Sequence, residues 1–555
     1  MRPSSDDDRW APRRANPWLT STLVVAALCA ACVGNIGDRP DGIDGAGGPT
    51  TVPPEAAMHR LTRSQYENTL LDLFGPIELP PDLETDALLH GFSNVAAASA
   101  TISPLAAEQF EAAAYHVIAQ VFGDVVRRQQ LVGCTPTTGD DACTRGFLED
   151  FGLRAWRRPL AADEIDEITT LTATLGDKLD DPWKGLEFGV AALLQSPHFL
   201  FRVEQGSPHP ERPEQLVLTG WEVATRLSYL VWNSTPDDEL LAAAERGDLA
   251  SAEGIAAEAE RLLEAPRARR ALLHFYGEFL NLQRLADLTK NVEVYPQMST
   301  TLGHSMRREI EKTFEHLVFE EDGDVRQLLD SKVTFVNAEL AELYGLPTKE
   351  RAAWWQVVWD EDSPRAGLLG TAGILALYAH NTATSPTLRG KFIRMNVLCQ
   401  DIPAPPPGVV TSLDGAGDAK TMRDKLAAHR EDPTCAACHD KMDPLGLGLE
   451  NFDAIGAYRT TENGYPIDAT GDLDGQPFDG ARDLAEMLAT MPEVGSCVAR
   501  RFYRHGLGHL EERAEEPAIE ALAARFAEGG YRVKDLVAQL VVSDAFRFAS
   551  APSAE

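Results

Sequence analysis

The sequence predicts a mainly α, multi-domain chain: a helical body followed by a small helical C-terminal domain. Three observations carry that expectation. Apolar residues recur at three- and four-residue steps in one segment after another, the period of a helix face. The length, 555 residues, exceeds what a single core organises. A Pro- and Gly-rich stretch, PAPPPGVV from Pro403 to Val410 and a loop on to Asp418, separates the body from the C-terminal domain.

The amino terminus carries an address. Arg13 and Arg14 precede an apolar run from Leu19 to Ala31, of secretory length and short for a membrane span. The run enters Cys29-Ala-Ala-Cys32, where Ala30, Ala31 and Cys32 resemble the end of a bacterial lipobox. On that reading residues 1–32 are a lipoprotein-type signal and Cys32 bears the lipid that holds the chain to a membrane. Cys29 stands where a lipobox has an aliphatic residue, so ordinary cleavage after Ala-Ala is the competing reading. Either way the chain is expected to be exported, to the periplasm or the cell surface. Residues 33–57, rich in Gly, Pro and Asp, read as a flexible tether.

Three helical domains are expected next, at 58–133, 134–204 and 205–402. In the first, Thr62 and Gln65 form a capping box ahead of Tyr66, Leu70, Leu73 and Phe74, and Phe110, Ala114, Val117 and Val121 mark a second helix. The second domain reads as helical from Cys143 to Trp156. Ile165, Ile168, Thr172 and Leu175 come next, then a stripe from Trp183 to Leu194 that Ser196-Pro197 stops. In the third, Thr219 and Glu222 cap GWEVATRLSYLVW, and Leu302 to Phe319 is a further helix. Trp354 to Trp359, aromatic and β-branched, is the one strand expected in the body. A formal charge of −34 speaks against a nucleic-acid footprint and for a solvated acidic surface, which a basic redox partner could dock on.

After the 403–419 linker, residues 420–550 carry the chemistry. Cys435, Cys438 and His439 spell C-x-x-C-H, the attachment signature of a c-type haem. On one helical turn, residues i and i+3 share a face, so two thiols reach two vinyl groups on one edge of the ring. His439, next along, comes up beneath the iron as the proximal ligand. With 8 Cys and 13 His in the chain, random placement yields the pattern on the order of a few times in a thousand such chains. Zinc would require a second Cys/His pair at finger spacing, and a redox C-x-x-C a neighbouring βαβ unit; the sequence offers neither. The C-terminal domain is therefore expected to be cytochrome-c-like and to hold haem c.

The sixth position of the iron decides between electron transfer and small-molecule chemistry. Met491, just before Pro492, is the distal candidate, although Leu484, Met487, Leu488 and Met491 also make a core stripe; Met487, Met422, His505 and His509 are the alternatives. Gly506 and Gly508 make a helix shared by His505 and His509 doubtful. Asn463-Gly464 marks a hairpin turn, and helices are expected at Leu484 to Met491, Val498 to Tyr503, Ile519 to Phe526 and Val533 to Val541. Asp440, Asp443, Glu450 and Asp453 read as acids on a solvated loop, while Asp468, Asp472 and Asp474 alternate without the offsets of an EF-hand. Setting aside the address and haem cysteines leaves Cys134, Cys143, Cys399 and Cys497, which an oxidising compartment favours as two disulfides. Cys134 to Cys143 spans a short loop; Cys399 to Cys497 is then the pair that remains.

Several phrases resemble one bacterial group: HRLTRSQYENTLLDLFG, FLEDFGLRAWRRPL, SPHFLFRVE, RAGLLGTAGILALYAHNTATSPTLRGKFIRMNVLCQDIPAPPPGV and CAACHDKMDPLGLGLENFDAIGAYR. They are similar to the planctomycete-cytochrome-type secreted proteins built from the DUF1587, DUF1595, DUF1592, DUF1588 and DUF1585 domains. The resemblance implies an exported, largely helical, c-haem-bearing protein and supplies no reaction. The expected function is electron transfer to or from a periplasmic or surface partner. The alternatives are a non-redox binding or scaffold lipoprotein with Cys435 and Cys438 as a disulfide, or a haem-dependent oxidoreductase with an open iron site. His380, Asn381, Ser385 and Arg389, inside the fourth phrase, either line a cleft beside the haem or form a structural loop. No phosphate-cradling Gly loop, G-x-S-x-G elbow or H-E-x-x-H is present.

Overall fold

A computed structural model describes residues 53–350, 353–365, 367–403 and 419–551. The address, Cys32, nearly all of the tether and most of the linker lie outside the described residues. Helix accounts for 58% and strand for 9%, which makes the chain mainly α as expected.

Local signals place the helices well. Thr62 and Thr219 each close the capping box read from sequence, starting Arg63–Phe74 and Gly220–Val231. Pro104–Phe122, Ala142–Trp156, Ala162–Leu179, Pro182–Gln195 and Leu302–Glu315 form where the periodicity puts them. Tyr66, Val117, Phe151, Leu193 and Phe199 belong to one apolar core, while a second and larger one runs from Phe92 to Ala549. That larger core takes in side chains from both sides of the linker, and the described chain packs as one compact unit. Among the described residues no helix is long and apolar enough to cross a membrane.

The hairpin expected at Asn463-Gly464 forms, Thr461–Glu462 pairing with Tyr465–Pro466, and the strands go beyond it and the one expected at Trp354 to Trp359. Trp355–Val358 is one, paired antiparallel with Val333–Val336. The others are two to four residues long, and some take partners from far along the chain. Met58–Arg60 pairs with Phe201–Val203, and Phe548–Ser550 returns to Gln215–Val217. Segments this short hold too few alternations to register as strands in a sequence. They matter because they tie the last residues to the middle of the body.

Two disulfides form, Cys134–Cys143 and Cys399–Cys497. The second joins the end of the body to the helix Pro492–Leu507, closing a loop of sequence separation 98. Because a long closed loop restricts the unfolded chain most, replacing Cys399 and Cys497 together by Ala is expected to cost about 2–4 kcal/mol of stability. Urea unfolding of the variant beside the oxidised parent checks this; coincident midpoints would rule it out.

Candidate cofactor site

The C-x-x-C-H segment lies on the helix Pro433–Leu447, entered by a turn from Met422–His429. Asp432 caps it, its carboxylate accepting from the Thr434 amide at 2.8 Å, and Pro433 occupies the first turn, where no amide hydrogen is needed. Cys435 and Cys438, one turn apart, are free thiols and half-buried. His439 comes directly after them, its ring still 20% exposed.

What fixes His439 is Asp443, one turn on. The imidazole Nδ1–H donates to the Asp443 carboxylate, at 3.0 and 3.2 Å to its two oxygens. Asp443 is fully buried and accepts a second bond, 2.7 Å, from the Thr387 hydroxyl on the helix Pro386–Phe392. A carboxylate on Nδ1 selects the tautomer whose Nε2 carries the lone pair, the arrangement that orients a metal-binding imidazole. The His429 ring stands edge-on to His439, 4.7 Å between centroids.

The two helices that share Asp443 cross almost backbone to backbone. A Cβ on Gly390 would strike the Met442 carbonyl, and one on Gly446 the Pro386 carbonyl. Below them, Arg389, with only 1% of its side chain exposed, donates to the carbonyls of Leu449, Phe452 and Asp453 at 2.8, 2.9 and 2.7 Å. It thereby clamps the loop that leaves the motif helix. Glu450 lies beside it, 3.4 Å from Arg389, and accepts from Thr384 at 2.8 Å and Arg459 at 2.9 Å. Burial pushes the Glu450 carboxyl above its ordinary range despite the two arginines, and lowers Arg389 to about 10.

These contacts correct the reading of the acids as a solvated loop. Asp443 and Glu450 are buried, because helices distant in sequence cover them; Asp453 accepts the amides of Ile455 and Ala457 in a turn. Asp468, Asp472 and Asp474 serve Thr470, the Gly475 amide and Arg394. Among the described residues no group of three or more His, Cys, Asp or Glu is arranged to hold a metal ion.

The remaining sequence candidates are dispersed. Met491 sits at the junction of Gly480–Thr490 and Pro492–Leu507 and, like Met487, packs against the large core. Met422 is buried with Leu426 and with Leu447 of the motif helix. His505 lies between Phe92 and Phe275, and burial drives its imidazole down to about 3. The helix does run through Gly506 and ends at Leu507 with Gly508 left-handed, so His509 falls outside it and pairs with Glu515 at 2.9 Å. His505 and His509 therefore share no helical face. Of the fourth phrase, His380 and Asn381 are at the surface, Ser385 caps a helix and Arg389 is the clamp. The carbonyls of Ala379 and His380 hold buried Lys290, whose ammonium burial lowers to about 8. A structural loop is thus the reading these contacts favour.

Sequence reasoning missed Asp443 as a partner of His439. The four-residue spacing was the available signal, since i and i+4 face one another on a helix. It also passed over His429, which carries no spacing signal because a turn intervenes.

Five family models match in chain order, each described as a protein of unknown function: DUF1587 at 59–123, DUF1595 at 143–204, DUF1592 at 218–346, DUF1588 (PSCyt3) at 365–462 and DUF1585 at 474–546. The DUF1588 segment contains both crossing helices, so Thr387, Arg389, Cys435, Cys438, His439 and Asp443 fall within one family unit. No curated protein and no solved structure matches the chain.

Proposed function

We propose, from the premise that this chain belongs to the planctomycete-cytochrome-type domain series, that it is an exported protein carrying one covalent c-type haem and exchanging electrons with a partner protein. One observation supports this above the rest: Nδ1 of His439 is held by a buried carboxylate beside two free thiols one turn apart. The donor set fits the group. Cys435 and Cys438 would hold the ring through thioether bonds, and His439 would ligate the iron through Nε2. When bound, the haem would supply one-electron chemistry. The chain's own part is to fix the imidazole's tautomer and orientation through Asp443 and Thr387. Export through the amino-terminal address, with a lipid on Cys32, belongs to the same proposal and would place the protein in a compartment that also favours its two disulfides.

Haem staining of the denatured protein, matured in a host competent for c-type haem, tests this directly. Stain is expected to survive denaturation in the parent and to disappear when Cys435 and Cys438 are both replaced by Ala. An unstained parent would end the cytochrome reading. The Asp443 contact also favours a second reading, a haem oxidoreductase, because a strongly donating proximal imidazole suits activation of a bound small molecule. Rapid carbon monoxide binding by the reduced protein would support the oxidoreductase; a spectrum unmoved by carbon monoxide supports the electron carrier.

A further inference from the structure

A cleft far along the chain from the C-x-x-C-H helix holds a cation whose Nε has no hydrogen-bond partner among the described residues. It opens between the strand Phe201–Val203 and the start of Gly220–Val231, with a volume of about 310 Å³, within the range of small-molecule sites. Trp156, Phe201 and Trp221 supply apolar wall, and Arg158, His198 and Arg202 supply polar wall.

The charges around it can be accounted for one by one. Arg157 donates to the carbonyls of Ala155, His198, Phe199 and Phe201. Arg158 takes Glu164 with two bonds of 2.8 Å. Glu222 accepts the amides of Gln205, Gly206 and Thr219, and Glu204 is taken by Arg226 through two bonds of 2.6 Å. Arg202 has no hydrogen-bonded carboxylate among the described residues: Glu204, whose oxygens bond Arg226, attracts it without bonding it. Its Nε is buried without a hydrogen-bond partner, and its guanidinium carbon lies 5.4 Å from the centre of the Tyr229 ring. Burial lowers its pKa, which marks the cost of holding this cation out of water. His198, its ring tilted against Trp156 at 4.8 Å between centroids, is also lowered by burial and by Arg158 and lies at the rim 3.6 Å from Glu164.

We infer that this cleft binds a small organic carboxylate, its head on the Arg202 guanidinium and its flat apolar body against the Trp156 and Trp221 walls. A guanidinium fork matches carboxylate and phosphate alike; the aromatic walls favour a ligand with an apolar body over a free inorganic ion. The inference does not depend on the haem.

The test uses the full chain, with benzoate and inorganic phosphate titrated separately while melting temperature and tryptophan emission are followed. Benzoate is expected to raise the melting temperature of the parent and to change its emission, as a ligand of the folded state must. Arg202→Gln is expected to weaken that binding about tenfold or more. Arg202→Met is expected to abolish it while the variant stays folded, because Glu204 keeps its two bonds to Arg226. The parent titration needs no variant. Benzoate without effect on the parent, an effect unchanged in the Arg202 variants, or binding of phosphate without benzoate would each overturn the inference.

Discussion

Asp443→Asn is expected to raise the reduction potential of the haem-loaded protein by about 60–120 mV while leaving haem staining intact. The carboxylate accepts the Nδ1–H of His439 from a fully buried position. A charged acceptor there increases the basicity of Nε2 and so favours ferric over ferrous iron. For one electron, about 59 mV corresponds to a tenfold change in the preference for ferric over ferrous iron, and the expected range spans one to two such factors. Asn keeps the shape and an acceptor oxygen, so the imidazole stays in place and only the charge is removed. Thr387→Val supplies the opposite sign. The Thr387 hydroxyl draws on the same carboxylate at 2.7 Å, and removing it leaves Asp443 a stronger acceptor and the potential lower. Redox titration of both variants checks the pair of signs. Potentials moving in the same direction, or not at all, would show that Asp443 only packs; an unstained parent would instead defeat the haem assignment itself.

Arg389→Leu is expected to cost about 3–5 kcal/mol of stability, the range for removing one partner from a buried charged pair. The contact to Glu450 is long, 3.4 Å, and burial wins over attraction at both groups. Stabilisation therefore comes mainly from the three short bonds to the carbonyls of Leu449, Phe452 and Asp453. Without the guanidinium, the buried Leu449 and Phe452 carbonyls lose their donor, and Glu450 keeps only Arg459 and Thr384. Adding Glu450→Leu is expected to recover part of the loss, because an uncompensated carboxylate disappears with it. Chemical denaturation of parent, single and double variants decides the matter. A loss below about 1 kcal/mol in the single variant would mean that the loop is held by packing and that Arg389 is incidental.

The contrast between these two residues shows where sequence reasoning reaches. His439 and Asp443 are four apart on one helix, so their meeting was legible in principle; that Asp443 is buried was not, because Thr387 and the crossing at Gly390 and Gly446 involve a helix from beyond the linker. Arg389 gave no local sign of its role. It occupies an ordinary helical position, and the acceptors of its short bonds, Leu449, Phe452 and Asp453, lie sixty or more residues on.

By itself the sequence determined the mainly α class, the capped helix starts at Thr62 and Thr219, the C-x-x-C-H spacing, the pairing of its leftover cysteines and the domain series. Each rests on interactions within a few residues, on a motif of fixed spacing, or on elimination among a handful of thiols. Only the tertiary structure decided that Asp443 is the buried partner of His439 and that Arg202 lines a cleft with its Nε lacking a hydrogen bond. Those outcomes depend on which distant segments cover a polar group, and burial by remote elements leaves no periodic trace in the chain that is covered.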